Sequence, residues 1–138
     1  MQVVHINCTN IVNDSNNDNQ GFKMKNNSKI ICPVQHSLNI LGGKWKLPIL
    51  HALHKGSPKR FKELEREIEG ITPTMLTTQL RDLEKNKIIN RQIFATVPPT
   101  VEYSLTELGQ TIKPLIYEIK KWGIHHIRQT EEKEVATE

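Results

Sequence analysis

Apolar residues recur at helical spacing along most of the chain and switch to strict alternation once, between Ile88 and Thr106. After Pro33, a residue suited to a first helical position, Val34, Leu38 and Leu41 form a stripe that Gly42 and Gly43 interrupt. A second helix is expected from near Lys44, with Trp45, Ile49 and Leu53 on one side. Pro48 is tolerable there because it lies close to the start, where it removes one hydrogen bond or bends the helix slightly. Gly56-Ser57-Pro58 ends that element, and Phe61, Leu64 and Ile68 mark a third helix. Gly70 closes the third; Thr72 as N-cap and Pro73 in the first turn open a fourth, in which Leu76, Leu80 and Leu83 share a stripe.

From Ile88 the period becomes two: Val101, Tyr103 and Leu105 alternate with Glu102 and Ser104, behind a turn at Pro98-Pro99. That pattern predicts a β-hairpin. Leu108, Ile112, Leu115, Ile119, Trp122 and His126 then trace a helix over 106–128, with a kink or break expected at Pro114. The predicted fold class is therefore mainly α (α+β). It is a winged helix-turn-helix, two helices joined by a short Gly-containing turn and followed by a β-hairpin wing, with terminal dimerisation helices. Ile116, Ile124 and Ile127 make the last helix more apolar than one small core requires, so a homodimer is expected.

Composition bounds this picture without changing it. A chain of 138 residues, 36% hydrophobic and 25% charged, suits one domain. Residues 1–28 are Asn-rich and poor in large apolar side chains, and are expected to form a flexible arm in which Met24 is a second candidate start. The folded domain is expected over 29–129, with an acidic tail at 130–138. No apolar run reaches the roughly 18 residues of a membrane helix, and no secretion signal is recognisable, so no membrane partner and a cytoplasmic location are expected.

Charge adds a partner. Nine basic side chains lie between Lys23 and Lys62 with no acidic one among them, and the net charge is +4. A segregated basic field points to a polyanion, nucleic acid first; its structural counterpart is an ordinary solvated surface. The fourth helix sharpens the choice. Its outer side carries Thr74, Thr77, Thr78 and Arg81 where a solvated helix would carry Glu and Lys. Short side chains let a helix approach base edges in the major groove. Thr hydroxyls can bond phosphates or bases, Thr methyls can touch thymine methyls, and Arg81 can bond guanine bidentately or hold a phosphate. Gln79 suits adenine but lies nearer the flank. Lys55, Lys59, Arg60 and Lys62 are expected as phosphate clamps, with Thr72 at the helix start. Arg91 and the wing around Thr96, Thr100 and Val101 are placed over an adjacent groove or backbone.

No catalytic motif is present, and the pairs His51/His54 and His125/His126 lack the remaining ligands of a metal site. Neither an enzyme, a metal nor a cofactor is expected. Cys8 and Cys32 are too few and too far apart for a disulfide framework. Cys32, immediately before Pro33, lies where a helix start favours a thiolate. It is a candidate sensor, or else a small apolar residue packed at an interface.

The span from Cys32 to Trp122 resembles the HxlR-type (MarR-like) winged helix-turn-helix transcriptional regulators of bacteria. The matching stretches are "CPV", "GGKWKLPIL", "RFKELEREIEGITPTMLTTQLRDLE", "PPTVEYSLTELG" and "KKWG", in the family's order and spacing. The resemblance implies a small homodimer that binds double-stranded operator DNA near a promoter, a repressor more often than an activator. It also implies that a cysteine at the Cys32 position can sense small oxidants or electrophiles such as quinones and aldehydes. Three positions depart from the pattern: Thr74 where the family often has Lys, Lys87 where Gly usually ends the recognition helix, and Thr100 where the wing often has Lys or Arg. The alternatives are a winged-helix protein-interaction module and a non-specific nucleic-acid binder.

Overall fold

The computed structural model describes residues 32 to 135, with side-chain surroundings as far as Glu131. The expected arm at 1–28, with Cys8, Met24, Lys23 and Lys25, lies outside the described residues, as does Lys29. The chain divides into two compact units at Gly42/Gly43. In the first, α1 (Pro33–Leu41) starts on Pro33 as expected, with Cys32 as N-cap. Its predicted apolar stripe is not core: no residue of α1 is buried, and Val34 and Leu38 stand exposed.

The second unit carries α2 (Lys46–Lys55), β1 (Lys59–Arg60), α3 (Phe61–Glu67), α4 (Pro73–Lys85), β2 (Ile89–Phe94), β3 (Thr100–Leu105), α5 (Glu107–Gln110) and α6 (Lys113–Val135). The predicted stripes converge here. Ile49, Leu50 and Leu53 from α2, Leu64 from α3, Leu76, Leu80 and Leu83 from α4 and Ile89 from β2 are all almost completely enclosed. Each such side chain stabilises the fold by about 1.5–3 kcal/mol, which is what holds the helix pair against the hairpin. α2 begins two residues later than expected, with Trp45 at its N-cap and Pro48 still inside the first turn.

β2 and β3 pair antiparallel, Arg91 opposite Tyr103 and Phe94 opposite Thr100. β1 was not predicted. It adds two residues to the other side of β3, Lys59 opposite Tyr103 and Arg60 opposite Glu102, giving the order β1-β3-β2. Two residues are too few to show alternation, so this strand leaves no periodic trace.

Thr72 caps α4 as predicted: the Met75 N–H donates to its Oγ1 at 3.2 Å. The other end closes in a Schellman turn. The Lys87 N–H donates to the Glu84 carbonyl at 2.9 Å and the Ile88 N–H to the Leu83 carbonyl at 3.0 Å. That turn puts Lys87 at φ 59, in the left-handed region where glycine sits at no steric cost. Thr106 ties the end of the hairpin to the same turn, its hydroxyl donating to the Lys87 carbonyl at 2.7 Å while accepting from the Gly109 N–H at 3.0 Å. Gly109 comes so near that a Cβ there would lie 2.2 Å from the Ile88 carbonyl oxygen.

The single helix expected over 106–128 is two helices. The break falls at Thr111–Ile112, and Pro114 occupies the first turn of α6, where its missing N–H leaves no bond unmade. α6 then runs 23 residues to Val135. The acidic stretch expected as a separate tail from residue 130 thus begins inside the helix.

Candidate nucleic-acid interface

α4 separates its two faces sharply. Leu76, Leu80 and Leu83 are sealed in the core, while Thr72, Thr74, Thr78 and Arg81 are exposed and Thr77 and Gln79 are half-buried at its flank. The helix is held in place from below. The Lys46 ammonium at the start of α2 is itself buried and is ion-paired to Asp82 on the flank of α4.

The threonines are less available as donors than their exposure suggests. The Thr77 hydroxyl donates to the Pro73 carbonyl at 2.8 Å and the Thr78 hydroxyl to the Thr74 carbonyl at 3.0 Å. This is the back-bonding common to Thr within helices. What these residues offer outward is therefore a methyl group and an acceptor oxygen.

Arg81 and Arg91 face one cleft of about 240 Å³ between α4 and the hairpin, walled also by Thr77, Glu84 and Tyr103. Neither guanidinium has an ion-pair partner among the described residues. Two unpaired guanidiniums beside the exposed helix suit phosphate or base-edge contacts.

The predicted clamps are placed differently. Lys59 is largely covered and ion-paired to Glu67. Lys55 lies 3.9 Å from the same carboxylate. The Arg60 Nε is 3.7 Å from Glu102, and the Lys62 Nζ is 2.7 Å from Glu65. The basic run that no acidic residue interrupts in sequence is thus partly neutralised in space. Lys62, with its side chain 71% exposed, remains the most accessible of the four.

In the wing, Thr96 spends its hydroxyl on the Pro98 carbonyl at 2.8 Å and on Thr100 at 2.9 Å. Thr100 and Val101 are half-buried, Val97 fully exposed. The tip is braced from within and carries no charge. Lys46 and the Arg81–Arg91 cleft are the features the sequence reading missed. A lone Lys in a helix start gives no sign of burial, and the cleft needs the hairpin register to be known.

Cys32 caps α1 through its backbone: the His36 N–H donates to its carbonyl at 2.9 Å. Its sulfur is disulfide-bonded. A thiolate at the start of α1 is therefore a property of the reduced chain alone. Among the described residues no group of three or more His, Cys, Asp or Glu could hold a metal ion, and no helix is long and apolar enough to cross a membrane.

A buried helix pair, an exposed second helix and a three-stranded sheet ending in a hairpin define a winged helix-turn-helix protein. Comparison with known proteins agrees. The HxlR-like helix-turn-helix family model matches residues 40–131, and the chain belongs to that family of DNA-binding transcriptional regulators, which are not enzymes. The HTH-type transcriptional regulator YdeP of Bacillus subtilis (strain 168) is 50% identical over 92 residues, 67% of this chain and 71% of its own. Among solved structures, the redox regulator HypR in its reduced form superposes with a TM-score of 0.68 at 43% identity, covering 72% of this chain and 98% of that one. The crystal structure of ytcD, a regulator of the same type, gives a TM-score of 0.66 at 43% identity, covering 71% and 99%.

Proposed function

We propose that the protein is a homodimeric, sequence-specific regulator, a repressor rather than an activator, that reads an inverted-repeat operator in the cytoplasm. The observation that carries this is the exposed face of α4. Its back is fully sealed, its front has short side chains, and two unpaired arginines flank it across a cleft. Thr74, Thr78 and Arg81 face base edges, while Arg91, Lys62 and the start of α4 at Thr72 hold phosphates. Thr77 and Thr100 contribute from the flanks, and Lys59 and Arg60 act through their carboxylate partners more than by direct contact.

Dimerisation is supported by α6, where Leu115, Ile119 and Trp122 leave an apolar stripe in solvent, Trp122 at 66% exposure. Such a stripe on a terminal helix suits a second copy of the chain. Thiol-based sensing at Cys32 is supported by its place at the start of α1, its participation in a disulfide, and the likeness to a redox regulator. The effector would be a small oxidant or electrophile.

The test is DNA affinity as a function of salt on promoter and random duplexes. Arg81→Ala should lose roughly 1–3 kcal/mol on the preferred site and relax one base position. Cys32→Ser should bind DNA like the reduced parent and ignore diamide. Equal binding to both duplexes leaves a non-specific binder, and no binding to either leaves an interaction module.

A further inference from the structure

A cavity of about 190 Å³ lies between α2 and α6, away from the face proposed to meet DNA. A cavity of about 150 Å³ is enough for benzene, so this one has room for a ring and a small polar head. Ile116 and the ring of Tyr117 supply apolar wall. The charges around it have one sign: Lys55 comes from α2 and Lys113 and Lys120 from α6, beside the imidazoles of His51 and His54, and no acidic side chain lines it. Lys113 and Lys120 have no ion-pair partner among the described residues. The Nε2 of His54 is buried with no hydrogen-bond partner. Lys113 is also the first residue of a 23-residue helix with no acidic residue in its first turn, so the helix N-terminus adds partial positive charge at the same place.

Like charges gathered around one small pocket repel one another, and a buried nitrogen without a partner is costly. Both conditions are relieved by one occupant. We propose that this cavity binds a small organic anion, a carboxylate on a flat apolar body, and is the regulator's effector site. The carboxylate meets Lys113, Lys120 and the His54 nitrogen, and the apolar body lies on Ile116 and Tyr117.

Lys113, Tyr117 and Lys120 recur at helical spacing on the side of α6 away from Leu115, Ile119 and Trp122. A partner chain seated on that stripe leaves the cavity mouth open. The route to the reading helix is short: α2 forms one wall of the cavity, and its Lys46 is ion-paired to Asp82 of α4. An occupant that draws α2 and α6 together therefore shifts α4 relative to the dimerisation helix. The effector role rests on the DNA-binding function proposed above; the binding site does not.

The experiment is titration calorimetry of the full-length reduced protein with sodium benzoate, with benzamide as the uncharged isostere and inorganic phosphate as a plain anion. Operator affinity is measured in parallel. Benzoate should bind saturably, one per chain. Benzamide, and benzoate on the Lys113→Gln/Lys120→Gln variant, should bind at least about tenfold more weakly, which is 1.4 kcal/mol. Benzoate should change operator affinity in the parent and not in the variant. The site is overturned if benzoate does not saturate, if benzamide matches it, or if phosphate competes as well as benzoate does. Binding that leaves operator affinity unchanged overturns the effector role. A protein that binds benzoate but no DNA overturns the regulator reading and leaves the site standing.

Discussion

Lys87 carries a positive φ with a full side chain, in the turn that closes α4. A non-glycine residue in this region is strained by about 1 kcal/mol, and part of that is recovered in the unfolded state, where glycine is freer. Lys87→Gly should therefore raise the unfolding free energy by up to about 1 kcal/mol without altering the fold, measurable as a higher midpoint in urea. His54 gives a second residue-scale expectation. Desolvation by burial, then the Lys113 ammonium and His51, hold its pKa below the usual histidine value of 6.5, while the Gly109 backbone works the other way. The unfolded chain thus takes up this proton first as pH falls. The stabilisation from neutral His54 is complete above pH 6.5 and is lost as pH falls below it, until the folded state is protonated too. Thermal midpoints of the parent and His54→Gln, followed from pH 7.5 downward, should converge as the medium becomes acidic. Parallel curves would remove His54 as the cause.

Among the elements, those that bury a periodic stripe were legible: α2, α3 and α4 follow directly from their apolar spacing, and Thr72 announces the start of α4. What escaped the sequence is short or depends on a partner far along the chain. β1 exists because β3 offers an edge, and Lys59 and Arg60 lose much of their positive field to Glu67 and Glu102. The predicted stripe of α1 is present yet unburied, because periodicity shows that a face is apolar and not what covers it. Gly109 shows the limit in the other direction, since its role is to leave room for the Ile88 carbonyl. Gly109→Ala should push α5 away from the hairpin and cost several kcal/mol, on the scale of a backbone clash and a lost buried hydrogen bond. Denaturation with a probe on Trp122 measures it. A change under about 0.5 kcal/mol would mean that the segment yields easily.

For the whole molecule, the element with the longest reach is α6. Its 23 residues at 1.5 Å rise span about 34 Å, and no proline interrupts the helix after Pro114. One turn of B-DNA repeats at about 34–36 Å. The dimer proposed above, seated along so stiff a strut, would hold its two α4 helices at a fixed separation and could not stretch to follow the DNA. Operator recognition should then be a matter of phase. Five extra base pairs between the half-sites turn the second one to the opposite side of the duplex, and affinity should drop to that of a single half-site. Ten extra base pairs restore the facing but not the distance, so binding should recover only in part. Mobility-shift titrations on such a spacer series measure the strut's compliance. Smooth tolerance of every spacer length would show that the two halves move independently, as a flexible tether would allow.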